Sequence, residues 1–135
     1  MYNVRLIFSL IILCSACSEE HGSLYRNIHA LDNNMPATGS YIIIPNQGCE
    51  GCISQAEAFV KKNITKKDSI RYIFTRIQST KLLKIKLGND IMSSNKVLLD
   101  TANIIEYPDK KNEIYPMTVT ISNHRITNIT YQSPI

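Results

Sequence analysis

The chain reads as an α/β domain with a central mixed sheet of four to five strands, flanking helices and a C-terminal β-hairpin. Three observations predict this. A β-branched run, Ile42-Ile43-Ile44, ends at Pro45 and leads across a short turn into Ile53, Ala56, Phe59, Val60 and Ile64, which recur at helical spacing. Residues 69–77 then alternate as a strand, and the order strand, helix, strand implies a right-handed crossover and a parallel pair. Finally, Met117–Ile121 and Arg125–Tyr131 alternate on either side of Ser122-Asn123-His124, the pattern of an antiparallel hairpin.

Taken in order, Tyr41–Ile44 has the apolar continuity of a short strand buried on both faces. Pro45 ends it, because proline has no N–H to give to a central ladder. Pro45 to Gly48 make the turn, and the helix runs from Glu50. A charged connection, Asn63–Asp68, precedes the second strand. Ser79 suits the cap of a helix carrying Leu82, Leu83, Ile85, Lys86 and Leu87 and closed by Gly88-Asn89; its imperfect spacing leaves a strand through 82–87 as the alternative. Lys96–Leu99 reads as a short strand ending at Asp100, Thr101–Glu106 as a brief helical or irregular piece, and Tyr107–Asn112 as a loop.

Ahead of the domain lies a different composition. Arg5 gives a short basic start, Leu6–Leu13 is an apolar run too short to span a bilayer, and the small residues Ser15-Ala16 precede Cys17. This is similar to a bacterial lipoprotein signal, in which the cysteine is lipidated and becomes the mature N-terminus. The resemblance makes residues 1–17 a signal with Cys17 as the lipid-bearing residue, and Cys14, which stands where leucine is usual, leaves with it. It also implies an exported, lipid-anchored protein of the cell envelope, held at the membrane through Cys17. The acidic Ser18-Glu19-Glu20 resembles the cluster that follows the lipidated cysteine in Bacteroidetes lipoproteins, although a solvated tether explains it equally. Residues 18–37 are polar and read as a tether with at most one turn of structure, so the domain is expected over 38–135.

Chemistry concentrates in Gly48-Cys49-Glu50-Gly51-Cys52. Cys49 falls at the strand-to-helix junction, where the unpaired N–H groups and the positive end of the helix dipole stabilise a thiolate. Cys52 lies one helical turn on, within reach of it. Such a pair can cycle between dithiol and disulfide, with Cys49 as the attacking thiol and Cys52 resolving the mixed disulfide. Glu50 works the other way, since a neighbouring negative charge disfavours the thiolate.

Strand, turn, Cys-x-x-Cys and helix together resemble the active-site unit of the thioredoxin-like proteins, with a second match in Tyr115-Pro116-Met117-Thr118-Val119-Thr120-Ile121. The resemblance covers residues 38–135. It implies a thioredoxin-like fold in which Pro116 is a cis-proline lying against the disulfide, and a substrate groove formed by Pro116, Tyr115, Gly48 and Glu50. Gly48 stands where a tryptophan commonly precedes the first cysteine, and the chain has no tryptophan. The helix that usually follows the hairpin is missing before Ile135.

The resemblance implies a thiol-disulfide oxidoreductase exchanging disulfides with exported proteins, without a cofactor. Two plainer readings stand beside it. A Cys-x-x-Cys is half of a structural zinc site, but a tetrahedral site needs two further ligands, and His21, His29 and His124 are widely scattered. The alternative is an exported protein that keeps the pair as a static disulfide on a binding module. The formal net charge is +4, one cation of which is Arg5 in the signal, and the Lys61-Lys62 and Lys66-Lys67 pairs read as a solvated face. Nucleic acid is not an expected partner of an exported domain, and a monomer is expected.

Overall fold

The computed structural model describes residues 20–132. The signal segment, Cys17 and the last three residues lie outside the described part. Five strands form one mixed sheet in the order β3-β2-β1-β4-β5: β1 (Gly39–Pro45), β2 (Ile70–Thr75), β3 (Val97–Leu99), β4 (Met117–Ser122) and β5 (Arg125–Tyr131). The first three run parallel, and β4 and β5 are antiparallel to their neighbours.

Burial along β1 shows why it occupies the centre. Tyr41 and Ile43 point to one face and Ile44 to the other, all without solvent exposure, so none of these three positions could carry an unpaired charge. On the first face Tyr41 and Ile43 join Ile73 of β2 and Met117, Val119 and Ile121 of β4. On the second, Ile44 meets Tyr72 and Phe74 of β2 beneath α2 (Glu50–Asn63) and α3 (Thr80–Leu87), which contribute Ile53, Ala56, Val60, Leu83 and Leu87. Glu57 of α2, nearly inaccessible, is paired with Lys86 Nζ of α3 at 2.7 Å, which ties the two helices together.

The helix over 80–87 displaces the strand alternative. Ser79 Oγ accepts from Leu82 N at 3.2 Å, and Gly88, at φ 95°, ends it in a conformation that costs glycine little. A short helix, α4 (Asn89–Met92), follows at once and leads into β3. The hairpin turns on Asn123 and His124, at φ 50° and 62°, as a two-residue turn of left-handed residues requires. A bulge opposite Thr120 and Ile121 adds local twist.

The tether reading of 18–37 needs correction. Residues Gly22–Leu31 form a ten-residue helix, α1, that covers the first face of the sheet. Leu24 and Ile28 are buried there and Leu31 is packed beside them, an i, i+4, i+7 stripe among polar residues. The folded body therefore starts near Gly22, and only 32–38 connect α1 to β1. Among the described residues no helix is long and apolar enough to cross a membrane.

Behind β1 a buried polar cluster joins that connection to the sheet. Tyr41 Oη donates to Asp32 Oδ2 at 2.6 Å, and Arg71 donates to the same oxygen. Burial first, then the bond to Asp32, hold the Tyr41 phenol well above the ordinary tyrosine range. An acid raised in this way stabilises the fold while it keeps its proton. That contribution is complete below the unfolded phenol's pKa of about 10 and is lost as pH climbs beyond it. Urea denaturation across pH 8–12 is expected to show stability falling above about pH 10, with a shallower fall in Tyr41→Phe. That variant should itself cost on the order of 1 kcal/mol at pH 8, from the lost hydrogen bond.

Candidate functional site

The cysteines sit where two elements end. After Pro45 the chain leaves the sheet, and its turn is tied to the neighbouring strand: Asn46 N donates to Thr75 O at 2.9 Å, and Asn46 Oδ1 accepts from Gln78 N at 3.2 Å. Gly48 follows at φ 144°, and a Cβ there would stand 2.4 Å from the carbonyl oxygen of Ile114. Only glycine tolerates both the dihedral and the approach. The tryptophan common in the resembling family has no room at this position.

Cys49 is the N-cap of α2. Its own N–H donates to Ile114 O at 2.9 Å, and its sulfur accepts from Cys52 N at 3.4 Å. Cys49 and Cys52 are joined as a disulfide with Cα atoms 5.3 Å apart. The two halves are unequal: Cys52 is 4 % exposed, packed among the core residues of α2, whereas Cys49 is half-buried at the helix start. Glu50 is exposed beside it, in the first turn of α2, where its charge also suits the helix dipole.

The segment before β4 approaches this turn, but not in the way the resemblance implies. No cis peptide bond occurs among the described residues, so the bond preceding Pro116 is trans and the cis-proline expectation is corrected. The segment's backbone groups are satisfied as they stand. Tyr115 N donates to Asn112 O, Tyr115 O accepts from Tyr107 Oη at 3.0 Å, and Pro116 O accepts from Gln132 N at 2.8 Å. The trans form is the ordinary state of an X–Pro bond. Pro116 is buried, Tyr115 is half-buried, and the bond to Cys49 is made by Ile114, two residues earlier and 41 % exposed.

Residues that sequence reading passed over hold this loop in place. Arg76, just beyond β2, adopts a left-handed backbone at φ 54° and donates through Nη2 to Glu113 Oε2 at 2.6 Å and through Nη1 to Glu113 O at 3.3 Å. Its guanidinium also lies over the Tyr107 ring, 5.8 Å from the centroid. Burial pushes the Tyr107 phenol up, with Arg76 pulling the other way. Asp100, at the end of β3, is almost wholly buried and accepts from Thr75 Oγ1, Ile104 N and Ile105 N at 2.8, 2.8 and 2.9 Å. Nothing local in the sequence marks Ile114 or Glu113, because their contacts run through backbone atoms and a long-range pair. Among the described residues no three His, Cys, Asp or Glu side chains are grouped as a metal ion would need, and His29 and His124 are both exposed.

No family model matches the chain, and no curated protein or solved structure matches it. The site's own geometry is what bears on its role.

Gly48→Ala should be costly, because the added carbon meets backbone on one side and a left-handed φ on the other. The expected loss is about 1–3 kcal/mol by urea denaturation, accompanied by faster hydrogen exchange at the Cys49 amide as its bond to Ile114 opens.

Proposed function

We propose that the protein is a thiol-disulfide oxidoreductase of thioredoxin-like architecture, tethered to the envelope membrane by lipid on Cys17 and acting on the thiols and disulfides of exported proteins. The observation that carries this reading is the asymmetry of the pair: one cysteine half-buried at a helix N-cap, and the other buried one turn on. In the reduced protein Cys49 loses a proton to become a thiolate favoured by the helix terminus, and attacks a substrate disulfide. A mixed disulfide forms and one substrate thiolate leaves and is protonated. Cys52 then attacks the Cys49 sulfur, closing the internal disulfide and releasing the second substrate thiol. Two electrons pass to the substrate, and no cofactor enters. Gly48, Glu50 and the exposed Ile114 adjoin Cys49, and together with Tyr115 would meet the partner chain.

One observation favours a second reading. The Cys49 N–H is spent on Ile114, an arrangement that also suits a disulfide serving as a static clasp on an envelope binding module.

Exchange assays separate the two. Wild-type protein is expected to reduce a protein disulfide in the presence of a dithiol, Cys49→Ser to lose this activity, and Cys52→Ser to hold partners as mixed disulfides through Cys49. A wild-type protein inert to all substrates, with Cys49 slow to alkylate after reduction, leaves the binding module. Removing the charge beside the nucleophile in Glu50→Gln should speed alkylation of reduced Cys49 at neutral pH, because a carboxylate there disfavours the thiolate. Mass spectrometry of quenched time points reads the rate.

A further inference from the structure

Beneath the Cys49 turn, at the carboxyl ends of β1, β2 and β3, lies a cavity of about 490 Å³ whose wall includes Gln47, Arg76, Asp100, Asn103 and Glu113. Open α/β sheets commonly take ligands at this end of their parallel strands. Four non-glycine residues of the described chain have a left-handed backbone. Two of them, Asn123 and His124, are accounted for by the hairpin turn, and the other two, Arg76 and Asn103, both line this cavity. Such conformations cost free energy and persist where the surroundings over-determine them. Here Asp100 pins the loop bearing Asn103 through Ile104 and Ile105, and Glu113 and Tyr107 pin Arg76.

The cavity thus presents one fixed cation and one fixed anion, both partly open to solvent: Arg76 has 27 % of its side chain exposed and Glu113 has 39 %. Asp100 has both carboxylate oxygens engaged by the protein, whereas Glu113 gives only Oε2 to Arg76, so its other oxygen is the one open to a ligand. Gln47 and the Asn103 amide add neutral donors and acceptors at the rim. A cation and an anion held side by side complement the carboxylate and ammonium of an α-amino acid. Gln47 is also only two residues from Cys49, a span of at most about 7 Å of chain. Across a disulfide the α-carbons of its two halves lie about 4.4–6.8 Å apart, a reach comparable with that span.

We propose that this cavity is a subsite for the amino-acid end of a small disulfide, so that free cystine is a substrate of the Cys49–Cys52 pair. The inference rests on the exchange reading above and names a substrate class for it. The Cys49 thiolate attacks one sulfur of cystine, the cystine S–S bond breaks as the mixed disulfide forms, and the departing cysteine takes a proton. Cys52, its own proton released to solvent, attacks the Cys49 sulfur and frees the second cysteine, which is protonated in turn. The dithiol gives up two electrons and two protons, and cystine gains them. Arg76 holds the carboxylate of the bound half and Glu113 its ammonium.

The test compares three disulfides as oxidants of the reduced wild-type protein at neutral pH: cystine, cystamine, which lacks the carboxylates, and dithiodipropionate, which lacks the ammonium groups. Each rate is divided by that of the same disulfide with free dithiothreitol, which removes differences in intrinsic reactivity. Cystine is expected to be roughly tenfold faster than either analogue, the size of one charge-assisted contact. Ratios taken within each variant cancel any general effect on the Ile114 loop: Arg76→Gln should bring the cystine-to-cystamine ratio to about one, and Glu113→Gln the cystine-to-dithiodipropionate ratio to about one. Equal normalised rates for the three disulfides in the wild-type protein overturn the subsite, and that comparison needs no variant to fold. A cystine preference that survives both substitutions overturns it as well. If none of the three oxidises the dithiol, the exchange reading itself fails.

Discussion

The contact between the Cys49 amide and the Ile114 carbonyl, made at 2.9 Å across a glycine with no side chain, organises the functional end of the molecule. Two stretches far apart in sequence, the turn after β1 and the approach to β4, meet there backbone to backbone. The close approach requires Gly48, and the bond takes one of the N–H groups that a helix start leaves unpaired. It sets the disulfide beyond the carboxyl end of the central strand, with Cys49 half-buried and Cys52 buried. Without it the loop before β4 would have to find another partner for Ile114 O, and the two cysteines would crown a helix with nothing beside them.

The rest of that end supports the contact in layers. The sheet brings the ends of β1, β2 and β3 together because their apolar faces have to be buried on both sides, by α1 on one and by α2 and α3 on the other. Polar groups then collect at the strand ends, where they can be satisfied by loops. Asp100 serves the backbone of 104 and 105 together with Thr75, and Arg76 reaches across to Glu113, the neighbour of Ile114. An ion pair as exposed as Arg76–Glu113 adds little to stability, and its main effect is to hold the loop in register beneath the disulfide.

How much of this was legible in the sequence depended on whether the signal was local. The Ile42-Ile43-Ile44 run, Pro45 and the helical repeat from Ile53 onward are local patterns, and β1, α2 and the parallel pairing with β2 lie where they indicate. The same holds for the hairpin through Asn123-His124 and for the Ser79 cap, which settled a region whose periodicity was ambiguous. The helix over 22–31 has a weaker local signal: Leu24, Ile28 and Leu31 carry its spacing, but they stand among mostly polar or small residues and its start has no capping side chain. The isomer at Pro116 was read wrongly for a different reason. A motif states what the resembling family does, whereas here the bond is trans and the neighbouring backbone groups are held by Asn112, Tyr107 and Gln132, all outside the motif's own residues.

By itself the sequence determined the element order, the placement of Cys49 and Cys52 on the first turn of a helix, and the buried character of the central strand. All three follow from short-range periodicity and from what proline and glycine permit. Tertiary structure alone decided that Ile114 rather than Pro116 bonds to Cys49, that Gly48 is where two backbones meet, and that Arg76, Asn103 and Glu113 share a cavity below the disulfide. Those outcomes depend on pairings between residues tens of positions apart, chosen by which faces the whole chain manages to bury at once, and no window of sequence contains both members of such a pair.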